Sequence, residues 1–177
     1  LPTVRELESL VDAGRVLPAL PAGHPFHNIQ LSYWTSTADV LDSNKAWVVS
    51  LADGTVARWN ITNQNGHALA CRSYGRYKAP VPQTGQTNSY RIGDDGALGG
   101  YEDWRLPTRR EVWSLIDFGS TNLLPVAHPF QADFSIHAFS SSTHAFYTNK
   151  AWGVEAGYLG AFSKEEPGGV VPVRGDW

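Results

Sequence analysis

Leu1-Pro2-Thr3-Val4-Arg5-Glu6-Leu7-Glu8-Ser9-Leu10-Val11-Asp12 returns later in the chain as Leu106-Pro107-Thr108-Arg109-Arg110-Glu111-Val112-Trp113-Ser114-Leu115-Ile116-Asp117. Self-similarity at a fixed offset means that one structural unit is used twice. Three further strings follow in the same order. His24-Pro25-Phe26 returns as His128-Pro129-Phe130, Trp34-Thr35-Ser36-Thr37 as Phe139-Ser140-Ser141-Ser142, and Asn44-Lys45-Ala46-Trp47 as Asn149-Lys150-Ala151-Trp152. The division is a first unit over residues 1–72, a Gly, Pro, Gln and Thr-rich connector over 73–100, and a second unit over 101–177.

Thr3 with Glu6, and Thr108 with Glu111, have capping-box spacing, so each unit is expected to open with a short helix. Val4, Leu7, Leu10 and Val11, and then Val112, Leu115 and Ile116, recur at helical spacing and give each helix one buried face. Downstream the period changes to that of strands. Ala46 to Leu51 and Thr55 to Trp59 flank the turn signal Asp53-Gly54 and predict a hairpin. Ala151 to Glu155 and Tyr158 to Phe162 repeat it, with glycines that predict a bulge or a looser edge. Ala68 to Arg72 and Val170 to Arg174 read as closing strands, the first burying Cys71. The class is α+β, with short helices packed on antiparallel hairpins. Units of this size are marginal alone, so the two are expected to share one core with pseudo-two-fold character. Trp34, Trp47, Trp104 and Trp152, which sit in repeated frameworks, are assigned to that core.

Composition narrows the function classes. Of 177 residues, 42% are apolar and 18% charged, with seven each of Trp, Tyr and Phe, which excludes a disordered chain or a coiled coil. A net charge of -3 and no basic run speak against a nucleic-acid partner. One cysteine permits no internal disulfide and no multi-cysteine metal site. No apolar stretch has membrane-spanning length, so membrane insertion is not expected. The sequence contains no Met, so Leu1 reads as a processed or trimmed end compatible with export.

Gly100-Tyr101-Glu102-Asp103-Trp104-Arg105-Leu106-Pro107-Thr108-Arg109-Arg110-Glu111, followed by an aromatic-Ser-Ser segment, an Ala-Trp strand and a terminal Val-Arg-Gly, resembles the bacterial DUF1566 family. The C-terminal domain of the Legionella collagen-like adhesin represents that family. The resemblance spans both units, with Thr84 to Thr87 and Gly93 to Gly96 similar to the spacer between its modules. It implies a C-type-lectin-like fold, related to the formylglycine-generating enzyme, on an extracellular or cell-surface protein that is often an adhesin. Glycosaminoglycan binding, trimerisation and variable ligand-binding surfaces occur among relatives.

Catalysis finds little support in the residues. A copper oxygenase related to this fold needs paired thiols, whereas Cys71 stands alone. His24 and His27 have a ligand-like i, i+3 spacing, but His24 and His128 both precede Pro-Phe, which suggests loop packing. Ser36 and Ser140 to Ser142 lack a nucleophile elbow and are expected to hydrogen-bond a turn. Asp94-Asp95 could bind calcium weakly; otherwise no cofactor or metal is expected. Arg174-Gly175-Asp176 spells an integrin-recognition tripeptide but coincides with the family's ordinary ending, and Asn60-Ile61-Thr62 fits a glycosylation acceptor without consequence in a bacterium.

Binding is favoured because rings and amides crowd the predicted loops. Candidate ligand-binding residues are Trp59, Asn60, Asn63, Gln64 and Asn65 after the first hairpin, His144, Phe146, Tyr147 and Asn149 before the second, and Tyr158, Phe162 and Lys164 in or beyond it. Rings supply contact area at low entropic cost, and amides supply directional hydrogen bonds. The expected partner is a glycan, or a host or neighbouring protein surface, met on the hairpin side. The alternative is a structural subunit of a surface assembly or filament whose rings bury against other copies; a metal-dependent oxygenase is more distant.

Overall fold

The computed structural model describes residues 1–71, 104–121, 124–125, 137–155 and 158–174. The connector, His128-Pro129-Phe130, Asp94-Asp95 and the Gly175-Asp176 end of the tripeptide lie outside the described residues. Helix α1 spans Val4–Glu8 and is followed by β1 (Ser32–Ala38), β2 (Lys45–Ser50) and β3 (Val56–Asn60). After β4 (Trp104–Arg105) come α2 (Arg109–Ser114), β5 (Ala138–Thr143), β6 (Lys150–Glu155), β7 (Tyr158–Ser163) and β8 (Val173–Arg174).

Both helix starts follow from their first four residues. Thr3 and Thr108 accept the backbone N–H of Glu6 and Glu111, whose carboxylates accept the threonine N–H at 2.7 and 2.6 Å. The helices are one to two turns long, and α2 buries Arg109 where the apolar pattern places only Val112, Leu115 and Ile116.

Six strands form one sheet in the order β1-β2-β3-β7-β6-β5, while β4 and β8 pair separately through Trp104↔Arg174 and Arg105↔Val173. The order is palindromic: α1 with β1 to β3, then α2 with β5 to β7. β3 and β7 meet antiparallel at Val56↔Leu159. That seam is short, so packing must join the halves. Trp47 meets Phe118 edge-on at 4.8 Å, and one core cluster contains Val4, Leu7, Trp47 and Val56 together with Val112, Ile116, Trp152 and Leu159.

The outer rims of the sheet are occupied by loops. Along β1, Trp34 N–H donates to His67 O at 2.8 Å and Ser36 N–H to Pro2 O at 2.7 Å. Along β5, Phe139 N–H donates to Gly169 O at 3.0 Å and Ser141 N–H to Pro107 O at 2.8 Å.

Three expectations are corrected and one is extended. Ala68 to Cys71 form no strand, and Cys71 is exposed, because the chain touches β1 only at the Tyr33↔His67 bridge. β6 and β7 pair without a bulge; Gly153 and Gly160 instead make room for the rings of Phe162 and Tyr158, which a Cβ would crowd. Ser140 Oγ accepts Ser142 N–H at 3.2 Å, the local bond expected of it, and the serines also reach neighbouring elements, Ser140 Oγ donating to Trp152 O at 2.8 Å and Ser142 Oγ accepting Arg109 N–H at 2.9 Å. Trp47 and Trp152 are core residues, 1% and 0% exposed, but Trp34 and Trp104 are half-buried: Trp34 packs on the far face of the sheet and Trp104 on the small β4–β8 ribbon.

Candidate functional site

The sheet register sets where the loops go. From Val56↔Leu159, β3 runs four residues to Asn60 while β7 runs four residues the opposite way to Ser163. At about 3.3 Å per residue their ends separate by roughly 26 Å along the strands. Most of the predicted ligand residues therefore fall at two poles, not on one hairpin side.

At the first pole the amides are partly consumed by their own turns. Asn60 Oδ1 accepts from Thr62 N–H at 3.1 Å and Thr62 Oγ1 at 2.8 Å, and Asn63 Oδ1 accepts from Asn65 N–H at 2.9 Å. Gln64 and Asn65 are exposed. Trp59 is half-buried, edge-on to Trp34 at 6.1 Å. Val40, Leu41 and Ile61, which sequence reasoning passed over, are the exposed apolar side chains here.

The second pole is more ordered chemically. His144 is only 4% exposed and stacks on Trp152 at 5.2 Å. Its Nδ1 accepts the backbone N–H groups of Phe146 and Tyr147, both at 3.1 Å. An acceptor at Nδ1 means that the neutral ring carries its proton on Nε2. Burial lowers the pKa of His144 below its ordinary 6.5; Asp53 opposes that shift and Lys150 adds to it. His144 is thus a support for the loop and not one of its contact residues.

What this support displays is a pair of rings. Phe146 is 67% exposed and Tyr147 51%, the two meeting edge-on at 4.8 Å. Lys150 Nζ lies 5.3 Å from the Tyr147 ring centroid. Lys164 Nζ donates to Thr143 Oγ1 at 3.0 Å and to Thr148 O at 2.9 Å, tying the loop to the end of β7, while Asn149 O accepts Lys164 N–H at 3.0 Å. Two aromatic faces, a phenol and two ammonium groups on a pinned loop can stack on a planar or pyranose-like surface and hydrogen-bond its polar edge.

Phe162 and Tyr158 belong to neither tip. Phe162 stacks on His137 at 4.5 Å and meets Tyr158 edge-on at 5.9 Å, on the sheet face turned away from the helices. Burial, with a smaller contribution from Asp53, raises the Tyr158 pKa above 10.0, so the phenol is protonated at neutral pH.

A sequence profile decides the family. That of the Lcl C-terminal domain matches residues 1–72 and 77–174. The chain belongs to the Lcl C-terminal domain family. No curated protein and no solved structure matches it. As a member of an adhesin-like family, this Lcl C-terminal domain is consistent with a surface binding role. Among its described residues no group of three His, Cys, Asp or Glu is placed to hold a metal, and no helix is long and apolar enough to cross a membrane. His24 packs on Phe26 at 6.0 Å, in keeping with a loop role, while His27 is exposed.

Repeat arithmetic also exposes a role that was missed. Asp39 occupies in the first half the place of His144 in the second: Asp39 N–H donates to Lys45 O at 3.3 Å and His144 N–H to Lys150 O at 3.0 Å. Asp39 Oδ1 accepts Leu41 N–H at 3.0 Å, as His144 Nδ1 accepts Phe146 N–H. Two different acceptor side chains at equivalent positions were the available signal.

Proposed function

We propose that this protein is an extracellular, non-enzymatic binding or adhesion module that recognises a glycan or protein surface through the Phe146-Tyr147 loop. The observation that carries the reading is the adjacency of two largely exposed rings on a loop whose backbone is pinned from beneath by His144. Exposed rings in contact are costly to leave in water unless a partner covers them, and pinning reduces the ordering cost of binding. Phe146→Ala and Tyr147→Ala, probed on glycan arrays and immobilised matrix proteins, are expected to lose at least ten-fold in affinity with an unchanged Tm. Wild-type affinity in both variants would overturn the assignment.

The second reading is a subunit of a surface assembly. It is favoured by the apolar group Val40, Leu41 and Ile61 at the pole opposite Phe146 and Tyr147, since two sticky ends point head-to-tail contacts in opposite directions. Concentration-dependent assembly that Leu41→Asp and Phe146→Asp each abolish would support it.

The matching hydrogen bonds in the two halves support an ancestral duplication. Thr35 Oγ1 donates to Trp47 O at 2.9 Å as Ser140 Oγ does to Trp152 O, and Val4 N–H reaches Thr37 Oγ1 at 3.1 Å as Arg109 N–H reaches Ser142 Oγ.

A further inference from the structure

We propose that the Phe146-Tyr147 tip is gated by protonation of His144: the neutral imidazole holds the tip in its displayed form, and the imidazolium releases it. Weaker ligand binding at acid pH, the functional consequence, rests on the recognition role proposed above. The release itself does not.

The argument is one of donors and acceptors. Nδ1 is the acceptor for two backbone N–H groups at once, both at 3.1 Å. A proton on Nδ1 turns that acceptor into a donor, so three donors would face one another in a part-buried site. Leaving buried donors unsatisfied is costly, and an exposed loop can rotate its N–H groups to water far more cheaply than the core can rearrange. The tip is therefore the element that moves.

The charged surroundings do not rescue the imidazolium. From β6, Lys150 is a like charge. Lys164, beyond β7, lies against the same loop through Thr148 O. Arg109 of α2 packs over Trp152, the ring on which His144 stacks. Asp53, in the turn between β2 and β3, is the opposing charge; it favours the proton, but less than burial opposes it. The first half has no imidazole at this place. Asp39 takes the equivalent place, accepts Leu41 N–H and pairs with Arg58 at 3.4 Å.

The experiment is amide hydrogen exchange of Phe146 and Tyr147, expressed as protection relative to the intrinsic rate at each pH, from pH 8 to 4.5. In the wild type, protection is expected to fall at least ten-fold, with a midpoint matching the His144 titration followed by NMR in the same sample. Leu41 is expected to stay constant. In His144→Asn the amide oxygen accepts without titrating, and the fall should vanish. Protection that stays flat while His144 titrates, or an identical fall in His144→Asn, would sink the proposal. If the asparagine variant does not fold, coincidence of the two wild-type midpoints decides the matter. Parallel binding assays separate the two ideas: a tip that opens in acid on a protein with no ligand leaves the gate standing and removes the recognition reading.

Discussion

Arg109 of the second half buries its guanidinium against Glu8 of the first: Nη1 donates to the Glu8 carboxylate, and Nη2 donates to Gly54 O at 2.7 Å. The same guanidinium lies 4.6 Å from the Trp152 ring centroid. A charge of each half is thus neutralised by the other half, at a place the short β3–β7 seam cannot reach. Arg5 makes a second crossing, donating to Ile116 O and lying 5.8 Å from the Phe118 ring.

Glu8→Ala should therefore destabilise the whole fold and not α1 alone. Removing one partner of a buried pair strands the other, at a cost of about 3–5 kcal/mol. Glu8→Leu combined with Arg109→Met should recover much of that loss, because both charges are then gone. Urea unfolding of the two variants checks the order; equal losses would show that the pair is not the junction described.

Gly54→Ala tests the same junction from the backbone side. Gly54 has φ +85°, and an added Cβ would stand 2.7 Å from Val11 Cγ1. Left-handed backbone and crowding act together, so a loss of about 1–3 kcal/mol is expected, with the midpoint of urea unfolding shifted and its slope unchanged. Gly23, with φ +77° but open space around it, should cost less when replaced by Ala.

The capping box of α1 makes a prediction in acid. Hydrogen bonds from the Thr3 N–H and hydroxyl hold the Glu6 carboxyl below its ordinary 4.5. A depressed carboxyl pKa contributes stability that is complete above that ordinary value and is lost as pH falls through the lower folded value. Glu6→Gln should accordingly be less stable than wild type at pH 7, and the gap should narrow towards pH 3. Thr3→Ala, which removes the hydroxyl acceptor of Glu6 N–H, should cost about 1 kcal/mol at pH 7. Denaturant midpoints at the two pH values measure both.

Much of this fold could be read in the chain because its signals are local. The Thr-x-x-Glu pairs announce both helices, and Asp53-Gly54 announces the first hairpin, since each is settled by residues within a few positions of one another. β1 and β5 were hidden: their serines read as turn formers, yet Ser140, like Thr35 in the first half, faces inward and bonds the adjacent strand. Arg109 falls outside the apolar pattern of its helix; only the partner half, far away in sequence, turns its face into an interior. The candidate site was half legible. Phe146 and Tyr147 are displayed as their loop position suggested, whereas His144, read beside them as a contact, points beneath them. No local pattern tells a ring that is shown from one that props it.

The rims of the sheet carry one more consequence. With Pro2, His67, Pro107 and Gly169 carbonyls taking the outward N–H groups of β1 and β5, neither border offers a row of free donors to an incoming strand. Crowded copies consequently find no ladder to extend along these two borders, and strand addition there must await local melting of those clasps. Along these borders, dense arrays of this domain can touch through side chains while each backbone stays its own.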